Sequence, residues 1–223
     1  MLDWPLEARR ANDLRILAVN PAAPRDDKLA EAIDVLAGGG VVALATETVY
    51  GLGADASNLT ALRRVKRLKD KAEESPILLL LADRRQAEQV CDDLPAAFDP
   101  LVERFWPGPL TLVIRASSGV PREITGGRET VAVRVPGLAL PRQLAAGLGR
   151  PISGVSANLT GRPPCRTAGE VARAFPEGLE MILDGGPAPG GGSSTVLDLC
   201  RTPPQVLREG LLPLTALRPF LKE

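Results

Sequence analysis

The sequence predicts an α/β fold, read as a single domain over residues 1–223, and three observations carry that expectation. Apolar runs of strand length alternate with helical stretches along much of the chain. One run, Pro76–Leu81, is too uniformly apolar for a strand that faces water, so it belongs in a sheet covered on both sides. The glycine-rich segment Gly185–Gly192 sits among these elements as a loop, and no stretch has the composition of a linker.

In chain order, Asp26–Ala37 is expected as a helix, with Leu29, Ile33 and Leu36 on one face and Gly38 as its stop. Val41–Ala45 is a strand that runs straight into Thr46–Gly53. The hydroxyls, carboxylate, phenol and glycines of that segment read as a loop at a strand end, where α/β sheets bind ligands. Gly51 and Gly53 are expected to let the backbone turn and approach a ligand closely. Asn58 is placed to cap a second helix that turns Leu62, Val65 and Leu68 inward. The strand Pro76–Leu81 follows, then helix Ala96–Phe105 and strands Leu110–Ile114 and Thr130–Val135. Helix Leu140–Leu148, strand Ile152–Val155, helix Thr167–Phe175 and strands Met181–Leu183, Thr195–Leu199 and Gln205–Arg208 complete the series.

The composition narrows the chemistry. Histidine is absent, which removes every Ser-His or Cys-His nucleophile and every histidine metal site. Catalysis must then work through positioning, fixed positive charge, hydroxyls or a metal held on oxygen, as phosphoryl and nucleotidyl transfer do. Lysine plus arginine and aspartate plus glutamate both number 27, so overall charge does not drive nucleic-acid binding. No apolar run reaches membrane-spanning length, and Met1–Arg10 lacks the hydrophobic core of a secretory signal. Cys91, Cys165 and Cys200 are odd in number and widely spaced, as free thiols of a reducing cytosol are. Basic residues gather at Arg63, Arg64, Lys66, Arg67, Lys69 and Lys71, where the bland reading is a solvated helix face.

Four polar islands recur at strand edges: Thr46–Gly53; Lys69-Asp70-Lys71 with Ser75; Ser153–Gly161; and Gly190–Thr195. The last two offer hydroxyls, an amide and backbone N–H groups suited to anions. Neither is a Walker A loop, since no Gly-Lys-Ser/Thr occurs. Arg134 places a cation inside the apolar strand Val131–Val135, and a buried cation needs a partner. Each island alone reads as a turn, and together with the two lysines and the arginine they describe a nucleotide-sized pocket.

Read in order, T-E-T-V-Y-G-L-G-A, K-x-K with S-P-I, F-W-P-G-P-L-T-L-V at 105–113, V-A-V-R-V-P at 131–136, S-A-N-L-T-G at 156–161, S-T-V-L-D at 194–198 and L-R-E-G at 207–210 resemble the YrdC/Sua5 family of threonylcarbamoyl-AMP synthases. The resemblance covers roughly residues 26–212, in the form without the extra C-terminal domain. It implies a twisted mixed sheet with flanking helices around a deep basic cavity. It also implies a nucleotidyltransferase that forms L-threonylcarbamoyladenylate and pyrophosphate from L-threonine, bicarbonate and ATP, with Mg²⁺ carried on the ATP phosphates and no metal ligands from the protein. The implied partners are a downstream tRNA threonylcarbamoyl-transferase complex acting at tRNA position 37 and, weakly, tRNA itself, in the cytoplasm and away from membranes. Carried over by position, Lys69, Lys71 and Arg134 are catalytic; Thr48, Tyr50, Arg134 and Ser194 take threonine; Lys71, Ser75, Thr130, Ser156, Asn158 and Arg208 take the nucleotide. The chain departs from the family at Ala45 (usually Pro), Lys71 (Arg), Leu80 (His) and Arg166 (often Pro). Two other readings remain open. One is an RNA-binding protein, against which stand zero net charge and few aromatic platforms. The other is a relative with another amino-acid substrate or without catalysis.

Overall fold

A computed structural model describes residues 14–221, so the expectation for Met1–Arg10 lies outside the described residues. The elements are β1 (Arg15–Ala18), α1 (Asp26–Ala37), β2 (Val42–Ala45), β3 (Tyr50–Gly53), α2 (Leu59–Leu68), β4 (Leu78–Leu80), α3 (Phe98–Phe105), β5 (Leu110–Arg115), α4 (Arg122–Thr125), β6 (Thr130–Arg134), α5 (Ala139–Leu148), β7 (Ile152–Ser153), β8 (Val155–Ser156), α6 (Ala168–Ala174), β9 (Met181–Asp184), β10 (Thr195–Asp198), β11 (Gln205–Arg208) and α7 (Leu214–Leu217). The α/β class and the mixed sheet with flanking helices hold. Strands β1-β9-β2-β3-β8 form a five-stranded sheet and β11-β10-β5-β6-β4-β7 a six-stranded one.

The two sheets are halves of one continuous, twisted arrangement, because residues 152–156 bond on both edges. Gly51 and Leu52 pair with Ser156 and Val155, and the same antiparallel register continues through Ala54 to an Asp55–Ile152 bridge. On the other edge, Leu79 and Leu80 pair with Ser153 and Ile152. The Ser153 hydroxyl locks the seam, donating to Leu52 O at 2.9 Å and accepting from Ala54 N at 2.9 Å. Gly154 marks the step between the two halves, and a Cβ there would lie 2.5 Å from Leu80 Cγ.

Apolar side chains then cover both faces. Leu36 of α1 and Leu144 of α5 close over Leu44, Leu80, Ile152 and Leu183. The opposite face carries the larger core, with Tyr50, Leu52, Leu62, Val65, Phe98, Leu112 and Val133 all fully buried. Each such leucine or valine contributes about 1.5–3 kcal/mol relative to exposure. The helices obey their sequence signals: Asn58 Oδ1 accepts from Ala61 N at 3.0 Å as the α2 cap, and Thr167 caps α6. The F-W-P-G-P block is scaffolding for β5. Trp106 stacks edge-on against Phe98 with ring centres 5.6 Å apart and donates to Leu110 O at 2.7 Å, while Gly108 N reaches Val135 O.

One expectation is corrected. Tyr50–Gly53 is a strand in a tight β2–β3 hairpin, and Gly51 and Gly53 lie within it rather than in a turn. Their small size serves packing, since a Cβ on Gly53 would meet Leu44 Cδ2 at 2.8 Å. The turn itself is the four residues Thr46–Val49. Gly154→Ala should destabilise the protein by about 1–3 kcal/mol through overpacking against Leu80. Urea unfolding checks this, and an unchanged midpoint would mean that Leu80 has room to move.

Candidate active site

Alternation along β6 decides where Arg134 goes. Val131 and Val133 enter the core, so Thr130, Ala132 and Arg134 share the other face. Arg134 is 3% exposed. Its Nη1 donates to Thr48 Oγ1 at 3.5 Å, its Nη2 stands 3.9 Å from Glu47 Oε1, and its Nε has no partner among the described residues. Burial pulls this guanidinium's pKa down against the pull of Glu47, and the like charge of Arg208 adds to the lowering. Thr46 builds the turn that presents Thr48. Its hydroxyl pairs with Thr48 Oγ1 at 2.7 Å, donates to Val49 O and accepts from the Thr48 and Val49 amides.

Beside Arg134 along the strand register, Thr111 Oγ1 and Ser194 Oγ pair at 2.8 Å, both buried. Arg208, exposed at the end of β11, donates to Ser194 O from Nε at 3.1 Å and from Nη2 at 2.8 Å, and to Ser194 Oγ at 3.1 Å. Thr48, Arg134, Ser194 and Arg208 therefore form one group. Thr46, Glu47 and Thr111 belong to it although the sequence reading assigned them no role. The first two lay in the same T-E-T block, and Thr111 is the single polar residue in the apolar run of β5 that faces β6 at Arg134.

A second group gathers where α2 ends. Asp70 takes the left-handed conformation (φ 50°), which aspartate tolerates better than bulkier residues, and turns the chain after Lys69. Asp70 is exposed and serves as this turn. Lys69 Nζ, 4% exposed as a residue, donates to Asn158 O at 2.7 Å, to Asn158 Oδ1 at 3.0 Å and to the Ser156 carbonyl. Ser156 Oγ donates to Asn158 Oδ1 at 2.6 Å, and both the amide and hydroxyl of Thr160 cap Lys69 O. Burial lowers the Lys69 pKa to about 8, with the nearby Lys71 charge adding to the shift. Half-buried Lys71 donates to Pro76 O at 3.3 Å, and its pKa is lowered by burial, then by Lys66 and Arg128. Ser75, on the 72–76 loop, and Thr130, at the start of β6, are both half-buried. The loop before β6 packs on that 72–76 segment, because Gly126 passes against Glu74 O. An open groove of about 680 Å³ adjoins it, lined by Arg115, Arg122, Thr125 and Arg128.

The seam joins the two groups: Leu80 of β4 pairs with Arg134 on one side and Ile152 on the other. Tyr50, expected at the threonine end, is fully buried, and its hydroxyl is bonded within the fold. Its hydroxyl donates to Gly186 O at 2.7 Å and to Asp184 Oδ1 at 3.3 Å, and accepts from Gly185 N at 3.2 Å. Burial and then the Asp184 charge push its pKa up to about 12. Tyr50 thus fastens the 184–186 turn, from which the glycine loop runs to Gly190, packed on Glu47 and Thr48. Among the described residues the Arg134 group combines a buried guanidinium with hydroxyls and the Glu47 carboxylate, and the second group gathers lysines and hydroxyls, surroundings that suit an anionic ligand.

A family model described as telomere recombination, of the Sua5, YciO and YrdC proteins, matches residues 34–210. The chain belongs to the Sua5/YciO/YrdC family. It is 43% identical over 185 residues to the threonylcarbamoyl-AMP synthase of Pyrococcus abyssi and 38% identical over 186 residues to that of Bacillus subtilis, in each case over 83% of this chain and 54% of the relative. The chain thus spans about half the length of these two relatives. The synthase of Halorhodospira halophila is 36% identical over 165 residues, 74% of this chain and 86% of that protein. Among solved structures, P. abyssi Sua5 complexed with L-threonine superimposes with a TM-score of 0.88 at 40% identity, over 92% of this chain and 60% of that one. E. coli YciO shares the fold, with a TM-score of 0.82 at 24% identity over 93% of this chain and all of that one.

In this family member, Lys69 gives a direct pH test. Between about pH 8 and pH 10.5 the unfolded lysine keeps a proton that the folded one has lost, so stability rises with pH across that window. The stability difference between wild type and Lys69→Met should therefore grow in favour of wild type from about pH 8 to about pH 10.5. Urea titrations of both proteins measure it, and a constant difference would mean that Lys69 titrates as in water.

Proposed function

We propose that this protein makes L-threonylcarbamoyladenylate and pyrophosphate from L-threonine, bicarbonate and ATP, as the names of its relatives indicate for them. The observation that carries the reading is Arg134: a buried guanidinium with an unfinished set of partners, flanked by the Thr48 and Ser194 hydroxyls. A carboxylate completes such a site with charge-assisted, two-pronged bonds. Arg134, Thr48 and Ser194 hold the amino acid, with Tyr50 fixing the loop behind them. Ser156, Asn158, Ser75 and Thr130 hold the nucleotide, and Lys69, Lys71 and Arg208 face its phosphates.

The threonylcarbamate oxygen is already anionic when it attacks the α-phosphorus, so this step needs no side-chain base and tolerates the lack of histidine. The P–O bond to the β-phosphate breaks and pyrophosphate leaves with its charge spread over the lysines. Positioning and preorganised positive charge supply the acceleration. Mg²⁺ enters as part of the ATP complex; among the described residues no group of three or more His, Cys, Asp or Glu side chains is arranged to hold a metal. The product serves tRNA modification through a transferase partner, work that belongs in the cytoplasm. No helix among the described residues is long and apolar enough to cross a membrane.

Pyrophosphate release should require ATP, Mg²⁺, bicarbonate and L-threonine together, tested by omitting each in turn. Equal release without threonine would make the protein an ATP pyrophosphohydrolase and overturn the reading. Arg134→Ala should raise the KM for threonine roughly ten- to hundredfold, the size of a lost charge-assisted contact, with ATP affinity retained. A lower melting temperature with an unchanged KM would instead make Arg134 a structural ion-pair member. Lys71→Ala should weaken ATP binding by about 1.5–3 kcal/mol while Lys71→Arg retains it, and an unaltered Lys71→Ala titration would remove this lysine from the site.

A further inference from the structure

The function proposed above leaves one part of the site without a task. Glu47 sits in the β2–β3 turn beside Arg134, with its side chain 16% exposed. Both of its carboxylate oxygens are buried, and neither has a hydrogen-bond partner among the described residues. The nearest cation, Arg134 Nη2, stands 3.9 Å from Oε1, beyond hydrogen-bond distance, and Arg134 Nε is likewise unpartnered. A carboxylate taken out of water without donors is costly, and an ion pair held open does not offset that cost. A glutamate that served only as counter-ion to Arg134 would close the pair. Here the turn holds the two groups apart.

The surroundings keep the carboxylate where it is. Gly137 passes so close that a Cβ there would lie 3.3 Å from Glu47 Cγ and 3.4 Å from its Cδ. Gly190 packs on the Glu47 backbone from the glycine loop, where a Cβ would meet Glu47 O at 2.3 Å. The Thr46 hydroxyl is committed to Thr48 and Val49, so it gives Glu47 nothing. The result is one anionic arm and one cationic arm, both buried, both with free hydrogen-bonding capacity and a short gap between them. That is the complement of a zwitterion whose ammonium and carboxylate share one carbon.

We propose that Glu47 binds the α-ammonium of the amino-acid substrate, opposite the carboxylate held by Arg134, and accepts the proton that frees the amine. This rests on the threonylcarbamoyladenylate reading for the identity of the amino acid. The amine must be unprotonated before it can form a bond to carbon. Glu47 takes one proton from the ammonium and passes it to solvent. The freed lone pair forms the N–C bond to the carbon of bicarbonate, whose C–OH bond breaks. A second proton leaves nitrogen and joins that hydroxide as water. The sum is ammonium plus bicarbonate giving carbamate, water and a proton, and the carbamate is the anionic nucleophile that the next step needs.

Calorimetry with L-threonine and a panel of other α-amino acids, without ATP or bicarbonate, tests the binding role. Glu47→Gln should weaken threonine binding roughly ten- to hundredfold, as loss of a charge-assisted contact does. It should leave ATP binding unchanged, and also the binding of 3-hydroxybutyrate, which is threonine without its amino group. The wild type supplies an arm that needs no variant: it should prefer threonine to 3-hydroxybutyrate by a similar factor. Threonine binding indifferent to both the Glu47→Gln change and the loss of the amino group would overturn the role of Glu47 and leave the substrate assignment standing. Glu47-dependent binding of a different amino acid, with none of threonine, would overturn the substrate assignment and uphold Glu47. If no amino acid binds, both fall.

Discussion

The segment 152–156 is bonded along both edges, and the rest of the site depends on that double pairing. Residues 155–156 pair with β3 and residues 152–153 with β4, so the hairpin bearing Thr46–Thr48 is referenced to the strand beside Arg134. The fully buried Ser153 adds a side-chain clasp to the backbone ladder at this point. Gly154 is the hinge of the arrangement, because only a residue without Cβ leaves Leu80 its place. Leu80 then belongs to the core beneath α1 and α5, and its neighbour in the register is Arg134. Apolar packing on one face thereby sets the position of the buried Arg134 guanidinium.

The charges fall into two classes according to how they are satisfied. Lys69 is buried, yet backbone carbonyls and an amide oxygen surround its ammonium, so its cost is met within the fold. The same burial brings its pKa down to about 8. Arg134 is the opposite case: it cannot give up its proton in the accessible pH range, and its hydrogen bonds within the chain are long or missing. The fold surrounds the lysine with acceptors and leaves the arginine short of them.

Much of this was legible in the sequence because the relevant signals are local. Helix α1 follows from its apolar spacing and Gly38, α2 from the Asn58 cap, and β11 matches its expected bounds. The strand β3 was not legible, because two glycines and a tyrosine behind a polar turn have the composition of a loop. Long-range pairing with 155–156, outside any local window, makes it a strand. Strand β1 was missed for a like reason, being short and defined by parallel pairing to β9. At the site, the residue types that bind anions stood out, whereas Thr46, Glu47 and Thr111 did not. A threonine in a strand and a glutamate in a turn are ordinary residues until the fold buries them. For Tyr50, whose phenol in the motif reads as a ligand contact, the sequence held no sign of its bonds to Asp184 and Gly186, which lie far along the chain.

That use of Tyr50 bears on how the site can be both stable and incomplete. The glycine loop 185–192 has little apolar side chain of its own with which to pack, so its position has to come from its ends. Tyr50 grips one end at Gly185 and Gly186, and Arg208 grips the other through the Ser194 carbonyl. Between those anchors Gly190 rests on the Glu47–Thr48 backbone, close enough that a side chain there would displace the turn. The loop thus packs on the backbone of the turn that carries Glu47. Two buried charges held 3.9 Å apart are less favourable than a closed pair, and a ligand with charges of the opposite order offsets that cost. Selectivity for such a ligand and the openness of the Glu47–Arg134 pair are the same feature of the fold.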